Sequence, residues 1–168
     1  MRKESLFTKD HAVRWPEKYE GVVNFLKSGT DEDAKHKNDN LFPLNVHVIV
    51  FAASVGLKND TELPVGDAKT IDVSTFRGQG LEPYLYLVPL LSQKDPDLYM
   101  LRDEQGEKRA IDLFERYTAG GLSILADVHK KAGLRSPELL ITSYLQRETW
   151  LSDKGDNTQA AGVVDDIF

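Results

Sequence analysis

The stretch FPLNVHVIVFAASVG, residues 42–56, constrains this chain more than any other. After His47 its apolar side chains follow one another without polar alternation, so protein has to cover the segment on every side. The valines and isoleucine would suit a strand, but the apolar run continues through Phe51, Ala52, Ala53 and Val55 to a glycine, too long for a typical strand. It predicts a buried helix that starts at Pro43 or Asn45 and is stopped by Gly56 in the left-handed conformation. A chain of 168 residues can bury roughly 70% of its unfolded surface as one domain. The expectation is therefore a mainly α fold: one compact helical domain over residues 1–151, with one short strand segment at most.

The remaining elements follow from periodicity and end signals. Tyr19, Val22, Val23, Phe25 and Leu26 predict a helix from Trp15–Pro16 to Lys27, ended by Ser28 and Gly29. TDEDAKHKNDN is a polar loop. The long connection after Leu57 suggests a short strand near Ile71 to Val73. Pro83 opens a helix that Pro89 bends or ends. Two helices are expected around Pro96 to Leu101 and Glu107 to Thr118, the second turning Ile111, Phe114 and Tyr117 inward and Asp112, Glu115 and Arg116 to water. GLSILADVHKKAG then restarts the helix, burying Leu122, Leu125 and Val128, and Gly133 closes it. Ser136 caps a last helix with Pro137 in its first position. From residue 152 the composition predicts a flexible acidic tail, 152–168, in which Asp153, Asp156, Asp165 and Asp166 outweigh Lys154. Within it, Val163, Val164, Ile167 and Phe168 form a small apolar cluster that reads first as part of an unpaired flexible end and, as the alternative, as a segment docking into a partner's groove.

FERYTAGGLSIL, residues 114–125, poses a choice. Gly120 and Gly121 fit a packing corner, with Gly120 as a left-handed cap and Gly121 allowing close approach, or the turn of a DNA-reading helix pair. The turn after the glycines is Leu122, Ser123, Ile124 and Leu125, too apolar to face a major groove, which favours the corner. Arg109, Arg116, Lys130 and Lys131 are candidate DNA contacts, interrupted by Asp112, Glu115 and Asp127. A net charge of -6 repels phosphate on average, so DNA binding is expected to be weak.

Catalytic patterns are scarce. There is no cysteine, which removes thiol chemistry and cysteine-rich metal sites. His11, His36, His47 and His129 share no ligand spacing, and His47 reads as a core or semi-exposed histidine with a satisfied nitrogen. GQG at Gly78 to Gly80 reads as a plain turn. A nuclease reading of Pro96–Asp97 followed by Glu107–Lys108–Arg109 fails because arginine stands where a proton-handling lysine is needed. Asp103, Glu104, Glu107 and Lys108 read instead as a solvated face. No cofactor, metal or catalytic residue is expected. No apolar run approaches a membrane span, and the charged N-terminal stretch lacks a signal peptide's apolar segment, so a cytoplasmic protein without membrane contact is expected.

Four segments, VIVFAASVGLKNDTELP, IDVSTF, DPDLYMLRDE and FERYTAGGLSIL, resemble a small accessory family found beside Dnd genes, the bacterial DNA phosphorothioation and restriction systems. The resemblance covers about Val46 to Leu125. It departs from the family in the turn KNDTEL, where acids replace the basic residues common there. The resemblance implies a link to phosphorothioate-based phage defence and other Dnd-system proteins as partners, but no catalytic residue. The expected function is a non-catalytic adaptor acting through protein–protein contacts; a DNA-binding regulator and, more weakly, an acidic DNA mimic are the alternatives.

Overall fold

The structure, a computed structural model, describes residues 7, 11–28, 41–96, 102–133 and 136–156. It is mainly helical, with one two-stranded antiparallel sheet. Strand β1 (Ala12–Pro16) leads through a 3-10 turn (Glu17–Tyr19) into α1 (Glu20–Ser28). Helix α2 (Asn45–Lys58) precedes β2 (Ala68–Asp72), α3 (Val73–Gly78), α4 (Tyr84–Leu91), α5 (Glu104–Ala132) and α6 (Pro137–Asp156).

As its composition demands, α2 is the core helix: Val48, Ile49, Ala52 and Ala53 are fully buried. Its largest interface is with α5. It does not stop at Gly56. Two more residues are helical, and a Schellman turn closes α2 four positions later than expected. The Asp60 amide donates to the Leu57 carbonyl (3.1 Å) and the Thr61 amide to the Gly56 carbonyl (2.9 Å), with Asp60 itself left-handed at φ 47°. Aspartate tolerates that conformation better than most residues, yet glycine has no Cβ to strain it. Asp60→Gly is therefore expected to stabilise the chain by ~0.5 kcal/mol, read as a raised urea midpoint.

The expected corner at Gly120–Gly121 does not exist. Helix α5 runs unbroken through both glycines, and neither has a positive φ. They are glycines because of what crosses them. A Cβ on Gly121 would lie 1.7 Å from the Ala52 carbonyl oxygen, one on Gly120 1.9 Å from that of Thr61, and one on Gly56 2.0 Å from that of Tyr117. Ala52 and Gly56, four apart, form a small-residue stripe on α2 that meets Tyr117 and Gly121, four apart on α5. Backbone thus touches backbone. The close approach expected of Gly121 is real; the left-handed cap at Gly120 is not.

The N-terminal prediction also shifts. Trp15–Pro16 ends a strand instead of opening a helix, because Val13 and Trp15 alternate as buried residues with Ala12 and Arg14 outward. Its partner β2 is the expected strand, displaced to Ala68–Asp72 and pairing Ala12 with Asp72 through Pro16 with Ala68. Helix α3 was not expected. It ends in a Schellman turn with Gly80 at φ 72°, so GQG is indeed a turn. Pro83 precedes α4 as expected, and α4 ends two residues beyond Pro89.

Two end signals hold as read: Gly133 is left-handed at φ 56°, its amide bonding to the His129 carbonyl, and Ser136 Oγ accepts from the Leu139 amide at 3.3 Å. Helix α6 continues to Asp156, four residues beyond the expected onset of the tail at 152. Residues 97–101 of the expected helix at 96–101, and Val163, Val164, Ile167 and Phe168, lie outside the described residues.

Candidate functional site

The polar chemistry of the fold gathers where β1 lies on α5. A two-stranded sheet leaves one edge of β1 with unpaired amides, and a buried acid takes one of them. Glu115, 2% exposed, accepts from the Arg14 backbone amide (2.7 Å) and from the Arg14 guanidinium through Nε (2.9 Å) and Nη2 (2.7 Å). Burial pushes the Glu115 carboxyl above the usual carboxylate range, and the Arg14 hydrogen bonds offset only part of that rise. The same contact raises the Arg14 guanidinium. One end of β1 is held by a second clamp, in which His11 Nε2 lies 2.9 Å from the carboxylate of Glu107, itself 1% exposed. Both acids were expected to face water. They point inward because α5 turns the face carrying Glu107, Ile111 and Glu115 towards β1.

From Glu115 the charges continue outward in alternating sign. Arg14 lies 3.9 Å from Asp112, Asp112 is 3.9 Å from Arg116, and Arg116 is 2.9 Å from Glu62. The four outer charges, Arg14, Asp112, Arg116 and Glu62, line an open cleft of about 350 Å³ against Leu63 to Gly66, and the network ties the loop after α2 to both β1 and α5. The Leu63 amide adds a bond to the Arg116 carbonyl at 3.1 Å.

The expected DNA contacts do not converge. Arg116 belongs to that network, and Lys131 pairs with Asp127 at 2.7 Å. Arg109 and Lys130 are exposed, with no ion pair among the described residues. They stand ~31 Å apart along α5, with the loop at Thr61 covering the helix between them. His47 is half-buried, as expected of a core or semi-exposed histidine, with its Nδ1 buried and lacking a hydrogen-bond partner. Among the described residues no cluster of three or more His, Asp or Glu side chains is arranged to hold a metal, and no helix is long and apolar enough to cross a membrane.

A second surface has the opposite character. Helix α4, YLYLVPLL, carries no charge and buries Leu85, Tyr86, Val88, Pro89 and Leu90. Its other face is uncovered: Tyr84, Leu87 and Leu91 are 41%, 43% and 69% exposed. Spaced i, i+3 and i+7, they form one stripe ~10 Å long. The sequence signals that α4 is apolar all round, which suggests complete burial; nothing in it marks the side left open.

The profile of the family described as DNA sulphur modification system-associated protein 4 matches residues 13–160. No curated protein and no solved structure matches the chain. The match extends well beyond the Val46 to Leu125 span of the motif resemblance. It takes in Arg14 with its partners on α5, the three glycine contacts and the α4 stripe, while His11 of the second clamp lies just before the matched region. With most of its length covered, the chain belongs to the family of DNA sulphur modification system-associated protein 4, a Dnd-associated accessory family.

Proposed function

We propose that this protein is a non-catalytic adaptor of its DNA sulphur modification system, joining other proteins of the system through the apolar stripe of α4. The uncovered stripe of Tyr84, Leu87 and Leu91 carries the reading: apolar side chains in line on a charge-free helix suit protein contact and offer nothing to a phosphate backbone. The buried acids support it, since Glu107 and Glu115 are engaged in clamping β1 to α5 and serve the architecture.

The test is affinity purification from a host carrying the system, with tagged wild type and tagged Leu87→Asp identified by mass spectrometry. Wild type should recover proteins of the system, and Leu87→Asp should recover at least tenfold less at an unchanged melting temperature. Equal recovery by both, or recovery of none, overturns the reading. So does a nanomolar, salt-sensitive DNA shift lost in Lys130→Ala or Arg116→Ala, which would establish the DNA-binding regulator instead. Plasmid, phosphorothioated or not, should remain intact with magnesium, manganese or zinc.

A further inference from the structure

The two-stranded sheet has two outer edges, and the fold treats them differently. The Val73 amide donates to the His11 carbonyl (2.9 Å) and the Glu17 amide to the Asp67 carbonyl (3.0 Å), so the odd-numbered pairs of the register are the hydrogen-bonded ones. Even-numbered residues turn their backbone groups outward. On β1 this agrees with Arg14, whose outward amide is taken by the Glu115 carboxylate (2.7 Å). On β2 the outward groups are the amides of Ala68, Thr70 and Asp72 and the carbonyls of Ala68 and Thr70, since the Asp72 carbonyl serves the first turn of α3. Among the described residues no hydrogen bond reaches these groups. Thr70 and Asp72 are exposed, no proline or bulge interrupts β2, and Lys69, a charge of the kind that blunts an edge, is tied back to Glu20. A third strand would satisfy every outward group.

The charges beside this edge specify what such a strand carries. Asp67 and Asp72 stand at its two ends, both exposed and without an ion pair among the described residues. At the Asp67 end an open cleft of about 350 Å³ is lined also by Glu17, exposed and likewise without an ion pair among the described residues, and by Lys18, whose ammonium lies 5.0 Å over the Tyr19 ring. A strand with Lys or Arg opposite residues 67 and 72, hence five positions apart, meets both carboxylates while its backbone pairs with β2. A second copy is the poorer occupant. Setting β2 against β2 would bring the aspartates of one chain towards those of the other, and each chain carries a net charge of -6.

We propose that the outer edge of β2 takes up an extended segment of another protein, bearing basic residues five positions apart, as the third strand of the sheet; this surface is separate from the α4 stripe and does not depend on it. The probe is the synthetic peptide Lys-Val-Thr-Val-Thr-Lys, acetylated and amidated, titrated into the isotope-labelled full-length chain and followed by amide NMR. The amides of Ala68, Thr70 and Asp72 should shift most, and their hydrogen exchange should slow at least tenfold at saturation. Thr70→Pro removes one outward donor without touching the ladder to β1 and should weaken the peptide at least tenfold. Asp67→Lys/Asp72→Lys should weaken it as much, and should take Glu-Val-Thr-Val-Thr-Glu at least tenfold tighter than wild type does. Asp72 makes no side-chain capping bond to α3, so the swap removes no helix contact. Melting temperatures within a degree or two of wild type show that each variant is folded, and the charge swap decides alone if Thr70→Pro is not. No binding at millimolar peptide, shifts centred elsewhere, equal binding by a folded Thr70→Pro, or binding indifferent to the charge swap overturns the proposal. A wild-type dimer that is lost in Thr70→Pro places a second copy on the edge and overturns it as well. These measurements use the purified chain and β2 alone, so their failure leaves the adaptor reading intact, and failure to recover system proteins through Leu87 leaves the peptide result intact.

Discussion

Gly121→Ala lowers the melting temperature by roughly 6–12 °C, the product of a loss of ~3 kcal/mol and the ~2–4 °C per kcal/mol typical of a chain this size. On an exposed helix the same change is favourable, since alanine is the better helix former by ~1 kcal/mol. Here the added methyl falls 1.7 Å from the Ala52 carbonyl oxygen and 2.9 Å from the Gly56 amide nitrogen. Both are backbone atoms, which no rotamer change can move aside. Relief requires α2 and α5 to separate, and that loosens the contacts made by the buried core around them. Gly56→Ala meets the Tyr117 carbonyl in the same way and should cost a similar amount. Gly21→Ala is the internal control: Gly21 is exposed on the outer face of α1 with nothing within 4 Å of its would-be Cβ, so this variant should melt at or slightly above the wild-type temperature. Thermal melts in which Gly121→Ala and Gly21→Ala behave alike would refute direct backbone contact between α2 and α5.

Arg14→Met is expected to cost about 3 kcal/mol near neutral pH, because it strips the buried Glu115 carboxylate of its counter-charge. The retained Arg14 amide bond satisfies only part of what the guanidinium supplied. Glu115→Gln should cost less. It leaves the cation only the longer contact with Asp112 (3.9 Å), but the Arg14 side chain is 51% exposed and water can solvate it. The pH dependence follows from the direction of the Glu115 shift. Its carboxyl is already raised in the folded chain, so the native state binds the extra proton, and stability falls as pH rises from the ordinary carboxylate range through the raised value. Removing the Arg14 guanidinium withdraws its hydrogen bonds and its charge, leaving only the backbone amide to hold the carboxyl down, and so raises it further. The deficit of Arg14→Met relative to wild type should therefore be largest near pH 8 and shrink on acidification towards pH 5, as measured by urea denaturation at both values. A deficit independent of pH would mean that Arg14 acts through packing alone.

Much of the fold was legible before any coordinates, wherever the physics is local. The largely apolar run of residues 46–55, uninterrupted from 48 to 53, demanded a core helix, Gly133 and Ser136 marked helix ends, and GQG read as a turn; each signal operates within about four residues of chain. The motifs that carried the family resemblance were legible for a related reason. VIVFAASVG and FERYTAGGLSIL are the two faces of the α2–α5 contact, where close backbone packing restricts the residue types that fit.

What the sequence by itself determined is the helical class, the core helix, the order of most elements and the link to a Dnd-associated family. Tertiary structure alone decided the rest. Two glycines in a row cost a helix ~1 kcal/mol each, so local reasoning breaks α5 at Gly120; the chain keeps it whole because α2 and the Thr61 loop occupy the space their missing side chains leave. Glu107 and Glu115 carry a solvated pattern, yet they are buried by partners 96 and 101 residues away. Trp15–Pro16 resembles a helix start until β2, more than fifty residues on, pairs with it. The open face of α4 has no local signature, because which side of an apolar helix stays bare depends on what the remainder of the chain fails to cover. Helix formation is settled by hydrogen bonds between near neighbours, whereas burial, ion pairing and the exposed stripe are settled by contacts between segments remote in sequence, which residue order does not encode locally.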